Sequence, residues 1–280
     1  MDIDNLKSWI NKSEQHHDLI AHQKVAALAA TLNCATPLDG TALPPLWHWM
    51  YFWAIAPQSE LGDDGHPKRG GFLPPVPLPR RMWAGGRLTF QSALPIGSAA
   101  TRLSRILAVD VKTGKSGTLA FVTVEHQIAV GGVVHIVEEH DIVYRDLPPA
   151  GTVAPTPPDA PTGSLWSKLI TPDPVLLFRY SALTFNGHRI HYDRSYVTGV
   201  EGYPGLIVHG PLIATLLLGL LSEKMPQAHV ASFGFRAVSP LFDVDPFTVC
   251  GQPSEDGRTV KLWAKNSRGG LAMQAEATLK

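Results

Sequence analysis

Prolines at positions 148, 149, 155, 157, 158 and 161 interrupt the chain near its middle, in a stretch, 147–164, otherwise dominated by Ala, Gly and Thr. Proline fixes φ and removes a backbone donor, so neither a helix nor a central strand is expected to run through such a segment. The 280 residues are therefore expected to fold as a first unit, 1–146, and a second, 165–280, each of common domain size. The segment between them reads as a linker. At about 3.1 Å per residue an extended spacer of this length reaches on the order of 50 Å, so the units need not be neighbours at the junction.

Each unit shows the same order of elements. In the first, 18–32 has the Ala and Leu content of a helix, with Asp18 as its N-cap. Strand-like runs follow at 87–91, 101–111, 118–128 and 133–144, with Gly131-Gly132 as a hairpin turn. In the second, the run 174–183 is apolar and aromatic enough to be a strand. A helix over 211–224 opens at Gly210-Pro211, closes before Pro226 and is apolar on nearly every face, which predicts burial. Strands are expected at 229–238, 247–251, 259–265 and 271–279. In the last two, Val260, Leu262 and Ala264, then Leu271, Met273, Ala275, Ala277 and Leu279, share one face. One helix followed by an antiparallel sheet that must cover it, twice over, describes an α+β duplication. A double hot-dog, in which two helix-wrapped sheets pair side by side, is the leading candidate.

Charge narrows the function. Lys plus Arg and Asp plus Glu are 24 each, so no global field favours nucleic acid or an anionic membrane, and a small-molecule partner is expected. Cys34 and Cys250, far apart in sequence, fit reduced thiols better than a disulfide framework. The acidic, polar start of the chain differs from a signal peptide, and the apolar run 212–221 is too short to span a bilayer. These features predict a cytoplasmic protein.

The chemistry concentrates in Phe185-Asn186-Gly187-His188-Arg189-Ile190-His191-Tyr192-Asp193, where two histidines, an amide and a carboxylate fall within nine residues. Following 174–183, this cluster is expected where a strand runs out into a loop, a common setting for sites. Bland readings exist for each residue. The histidines could be surface or satisfied core groups, Asp193 a structural acceptor or cap, and Tyr180 and Tyr192 simple packing rather than pocket lining. A metal site built on His-x-x-His with Asp193 and His209 lacks a recognisable ligand signature, so none is expected.

The stretch Tyr180-Ser181-Ala182-Leu183-Thr184-Phe185-Asn186-Gly187-His188-Arg189-Ile190-His191-Tyr192-Asp193 resembles the variant hydratase motif of MaoC-like dehydratases of the fungal mitochondrial 3-hydroxyacyl-thioester dehydratase and mesaconyl-C4-CoA or itaconyl-CoA hydratase type. Residues 70–85, 116–122 and 208–212 resemble further stretches of that group. The resemblance implies a double hot-dog fold and reversible addition of water to an α,β-unsaturated acyl-CoA thioester, with a branched C5 dicarboxylic acyl group, itaconyl-CoA or mesaconyl-C4-CoA. Coenzyme A is then part of the substrate, and no separate cofactor is expected. A homo-oligomer is compatible with it.

The wider family's R-specific hydratase motif has an Asp with a His five positions later. Here Asn186 stands at the Asp position, His191 at the His position, and His188 replaces the motif's Asn. An amide can hold a water but cannot accept its proton. His191 remains the first candidate for proton transfer, His188 the second. Backbone N–H groups near His209 and Gly210, at the start of the buried helix, are suited to an enolate-like oxygen. The loop 62–82 carries Lys68, Arg69, Arg80 and Arg81. Solvated charge is their ordinary reading; the functional one is that Arg80 or Arg81 forks onto a substrate carboxylate or coenzyme A phosphate. A hot-dog thioesterase and a non-catalytic acyl-CoA-binding protein are the alternatives.

Overall fold

The computed structural model describes residues 2–114, 117–146 and 155–280. The alternating runs of the sequence become strands of one antiparallel sheet. In the first half α1 (Ile3–Lys7), β1 (Ser13–Leu19) and α2 (His22–Leu32) precede β2 (Arg80–Phe90), β3 (Ala99–Gly114), β4 (Gly117–Val130) and β5 (Val133–Arg145). In the second, β6 (Trp166–Ile170) leads into α3 (Pro174–Thr184), α4 (Arg194–Gly199) and α5 (Gly210–Lys224). Then come β7 (Val230–Ala237), β8 (Phe247–Pro253), β9 (Thr259–Asn266) and β10 (Leu271–Leu279).

The sheet order is β1-β3-β4-β5-β2-β7-β10-β9-β8-β6. Numbered within its own half, each set of five strands has the order 1-3-4-5-2. The halves meet where β2 pairs with β7, from Gly85 opposite Arg236 to Thr89 opposite Ser232. Glycine makes that seam possible. A Cβ on Gly85 would lie 2.6 Å from the Phe235 carbonyl oxygen, and one on Gly86 2.8 Å from that of Glu139. This is the expected double hot-dog layout, with the two sheets continuous.

Helix α5 is buried through Leu212, Ile213, Ala214, Thr215, Leu217, Leu218, Leu220 and Leu221 and packs on β6, β8, β9 and β10. Its apolar faces explain the depth: no orientation of this helix would present a polar stripe to water. The main core runs unbroken from Ile20 in the first half to Ala277 in the second. A second cluster, with Val76, Ile106, Val122 and Tyr144, lies in the first half alone. Also in the first half, the buried carboxylate of Glu138 accepts hydrogen bonds from His48 Nε2 at 3.1 Å and Trp49 Nε1 at 2.9 Å. Among the described residues no helix is long and apolar enough to cross a membrane.

Three expectations need correction. Residues 174–183 form helix α3, not a strand. Asp173 caps it by accepting from Leu176 N at 2.8 Å, and Pro174 occupies the first turn. Leu177, Tyr180 and Ser181 are buried at helical spacing, so capping and period outweigh β-favouring composition. Asp18 ends strand β1 rather than capping a helix: its carboxylate accepts from Leu19 N at 2.8 Å and Phe52 N at 2.9 Å. The helix starts after Ala21, which makes no side-chain cap. Arg80 and Arg81 open strand β2 instead of closing a loop. Of the Pro-rich stretch, 147–154 lies outside the described residues. In 155–164, Asp159 bridges to Gly270 and Leu271 N donates to Pro158 O at 2.8 Å.

Candidate active site

The polar cluster sits where a helix, not a strand, ends. Helix α3 stops at Phe185, whose φ of 53° is left-handed. Phe185 N donates to Ala182 O at 3.3 Å and Asn186 N to Ser181 O at 2.8 Å, the paired bonds of a Schellman cap. A phenylalanine in this conformation is strained, and its ring is held by stacking on Trp53, with centroids 4.8 Å apart and planes 11° apart. The reversal turns Asn186 into the site loop. Its Oδ1 accepts from His188 N at 3.0 Å, an Asx turn that fixes the next two residues.

A single 3-10 turn, Arg189–His191, then carries His191 inward. Asp193 caps α4, accepting from Tyr196 N at 3.0 Å, and its other oxygen takes Arg189 Nη2 at 2.7 Å. Asp193 is thus a structural acceptor. Tyr192 is 44% exposed and donates its hydroxyl to Gly187 O at 2.9 Å, so it staples the loop. Tyr180 is buried with its ring 5.0 Å from that of His209, and burial raises its pKa despite a hydrogen bond to Thr215.

Four imidazoles form a row. Ring centroids lie 4.1 Å apart for His66 and His188, 5.5 Å for His188 and His191, and 3.7 Å for His191 and His209, the last pair stacked at 16°. His191 Nδ1 is 2.8 Å from Ile207 O. A carbonyl only accepts, so Nδ1 carries the proton and Nε2 of the neutral ring offers a lone pair. Burial lowers the His191 pKa to about 4, the Ile207 bond opposing and the His66 charge assisting. His209 bonds Ser181 Oγ through Nε2 at 2.8 Å, and its buried Nδ1 has no partner among the described residues. Burial, then His191 and His188, push its pKa well below 6.5. His188 falls far below 6.5 for the same first reason, with His66 and His191 adding to it.

His209 is also the N-cap of α5, and Ile213 N donates to its carbonyl at 3.1 Å. Pro211 has no N–H. The amides of Gly210 and Leu212 have no acceptor among the described residues, so the helix presents free donors beside the imidazoles. A Cβ on Gly210 would meet nothing closer than Met273 Cε at 4.0 Å, so packing within the chain does not require glycine there.

The structure separates the two arginines, as alternation along a strand demands. Arg80 is spent on Glu201, with Nη2 to Oε2 at 2.9 Å, and lies over the Tyr203 ring. Arg81 has no ion-pair partner among the described residues, and its charge adds a smaller push to the burial that lowers the pKa of His66 and His188. Arg81, not Arg80, faces the histidines.

Sequence reasoning missed Asp64, His66 and Ser181. Asp64 and His66 come from a distant loop that locks onto the motif. Arg189 N donates to Asp64 O at 2.9 Å, and Arg189 Nη1 to Asp63 O at 3.0 Å. Gly65, at φ 86°, lies so close to Gly187 that a Cβ would sit 2.0 Å from its carbonyl oxygen. The glycine in Asp64-Gly65-His66 was the available signal. Among the described residues, the groups of three or more side chains with ligand atoms within 4.8 Å of one another are Asp64 with His66 and His188, and His126 with Glu138 and His140. Neither group contains Asp193 or His209.

Comparison with known proteins matches this geometry to a lineage. The profile of a family described as hydroxyacyl-thioester dehydratase type 2 matches residues 46–243. A mesaconyl-C(4)-CoA hydratase of Chloroflexus aurantiacus is 48% identical over 275 residues, covering 97% of this chain and 97% of that protein. Among solved structures, a MaoC-like dehydratase from Phytophthora capsici superposes with TM-score 0.72 at 15% identity, covering 100% of this chain and 99% of that one. A conserved Mycobacterium tuberculosis protein with a double hotdog fold gives 0.59 at 14% identity, over 97% of this chain and 96% of that one.

Proposed function

Because the chain belongs to the hydroxyacyl-thioester dehydratase type 2 family, we propose that it catalyses reversible addition of water to an α,β-unsaturated acyl-CoA thioester, forming a 3-hydroxyacyl-CoA. The observation that carries the reading is the Nδ1 bond of His191 to Ile207, which leaves Nε2 as an acceptor for water beside the free amides of α5. Water held there attacks the β-carbon. Negative charge grows on the thioester oxygen, where the Gly210 and Leu212 donors and the helix dipole stabilise it. Asn186, its Oδ1 on the His188 amide, offers its NH2 group as a donor to the water. The reaction is redox-neutral and calls for no electron carrier; coenzyme A enters with the substrate.

The acyl group we favour is a branched C5 dicarboxylic one, of the mesaconyl-C4 or itaconyl kind. Full-length likeness to a mesaconyl-C(4)-CoA hydratase supports it, as does Arg81, which bonds the Tyr144 hydroxyl but has no ion-pair partner among the described residues, and whose guanidinium suits a carboxylate that would be costly to bury alone. Two unpaired thiols, Cys34 exposed and Cys250 buried, support a reducing compartment such as the cytoplasm.

The test is incubation with mesaconyl-C4-CoA, itaconyl-CoA and crotonyl-CoA. A mass gain of one water supports hydration; release of free coenzyme A identifies a thioesterase, and tight binding without turnover a carrier. Arg81→Gln should lower kcat/KM on the dicarboxylic thioesters by about tenfold to a hundredfold and spare crotonyl-CoA. A wild-type preference for crotonyl-CoA rejects the substrate assignment.

A further inference from the structure

Neutral His191 can hold a water, but it is poorly built to keep a proton. Its ring is buried, no carboxylate among the described residues lies on it, and its stacking partner His209 is also buried, its pKa pushed well below the usual value by burial. An imidazolium there would have no counter-ion. Asn186 removes the carboxylate that the hydratase pattern places nearby. Within the row one imidazole differs. His66 Nδ1 lies 2.9 Å from Asp64 Oδ2, and Asp64 Oδ1 accepts from His66 N at 3.0 Å. Burial raises the Asp64 pKa, but the bonds and charge of His66 outweigh it, so the carboxylate is ionised and His66 Nδ1 is the donor. This leaves Nε2 of His66 as a base whose protonated form is paired from behind.

Resting on the hydratase reading, we propose that the Asp64–His66 pair, contributed by the first half of the chain, is the proton store of the reaction, exchanging with the water site through His188. In hydration the O–H bond of the attacking water breaks, oxygen bonds the β-carbon, and the proton passes by way of His188 to His66 Nε2. The electron pair of the double bond moves to the α-carbon and thioester carbonyl. The same proton then returns to the α-carbon, so the protein ends as it began. His66 acts through His188, and Asp64 through His66; both are positioning residues in the strict sense. Three contacts hold the loop in register with the motif: the Arg189 bonds to Asp63 and Asp64, and the Gly65 approach to Gly187. The charges that face His66 are Asp64, His188, Arg81 and Arg69. Burial has the largest effect on His66 and lowers its pKa; the Asp64 bond and charge oppose this, and Arg81 and Arg69 add to it, so Asp64 is what keeps the ring able to take a proton.

The experiment compares wild type, His66→Ala and Asp64→Asn on a hydrated enoyl-CoA, with pH profiles and added imidazole. His66→Ala should lower kcat by about 10² to 10³ with KM within about threefold, and millimolar imidazole should restore at least tenfold, because His66 is 21% exposed. In Asp64→Asn the group that raises the His66 pKa is gone. The acid limb of kcat/KM should therefore move to lower pH by about one unit, while the plateau falls. His66→Ala within threefold of wild type, or a loss that imidazole does not rescue with an Asp64→Asn limb that does not move, overturns the proposal. So does wild-type activity abolished by EDTA and restored by zinc, which would make Asp64, His66 and His188 metal ligands instead. Absence of hydration by wild type overturns the hydratase reading itself, and this inference with it.

Discussion

Gly65 and Gly187 touch backbone to backbone, tying a loop of the first half to the histidine motif of the second. Gly65→Ala adds a methyl 2.0 Å from the Gly187 carbonyl oxygen at a φ of 86°. It should destabilise the fold by more than about 1 kcal/mol and depress turnover at temperatures where the protein stays folded. Gly131→Ala is the control, since it is left-handed but a Cβ there meets nothing within 4 Å. It should lose some stability and keep its activity. Equal kcat in the two variants would mean that the contact does not position the site.

His191→Ala removes the acceptor for water. Turnover should fall by about 10² to 10⁴ with little change in KM. Asn186→Asp should keep activity or change it modestly, since the carboxylate can still accept from the His188 amide. Loss in His188→Ala without loss in His191→Ala would transfer the role to His188.

Buried neutral histidines make stability pH-dependent. His191 has a folded pKa of about 4 against about 6.5 unfolded, so between those values the unfolded chain binds more protons and stability rises with pH. The contribution is complete above about pH 6.5 and is lost as pH falls towards 4, about 3 kcal/mol for this group. His66, His188 and His209 are displaced in the same direction. Thermal melts from pH 7.5 to 4.5 should show a falling Tm, less steep in His191→Phe; a flat profile would mean that folding does not displace the pKa of these rings.

We expect the two halves to stay together without the segment between them. Cleavage between Thr152 and Thr162 should leave 1–146 and 165–280 associated, since the shared core and the β2–β7 pairing join them. Neither half should hydrate substrate alone. Activity of the first half by itself would move the chemistry away from His191.

Strands β2–β5 and β7–β10, and helix α5, were legible because their signals are local: alternation for β9 and β10, a Pro at each end for α5; the short outer strands β1 and β6 carry no such signal and were missed. Helix α3 was not, because Val, Leu, Phe and Tyr favour either state and the deciding signal, Asp173 before Pro174, is only two residues long. His188, His191 and His209 could be named from the motif and the helix start. Asp64 and His66 could not. Their place in the site is set by packing between segments far apart in the chain, and neither spacing nor composition encodes it. The choice of Arg81 over Arg80 likewise depended on where β2 begins and which face each residue takes.

Two separate sheets of this kind would expose four unpaired strand margins, each a row of open N–H and C=O groups able to recruit another chain. Joining β2 to β7 leaves two, β1 and β6. β1 carries Glu14, His16, His17 and Asp18 in its seven residues, and β6 is five residues long with Lys168 at its middle. Short length and charge are what discourage strand addition by neighbours. Duplication within one chain thus protects the fold from sticking to copies of itself, independently of what either half contributes to chemistry.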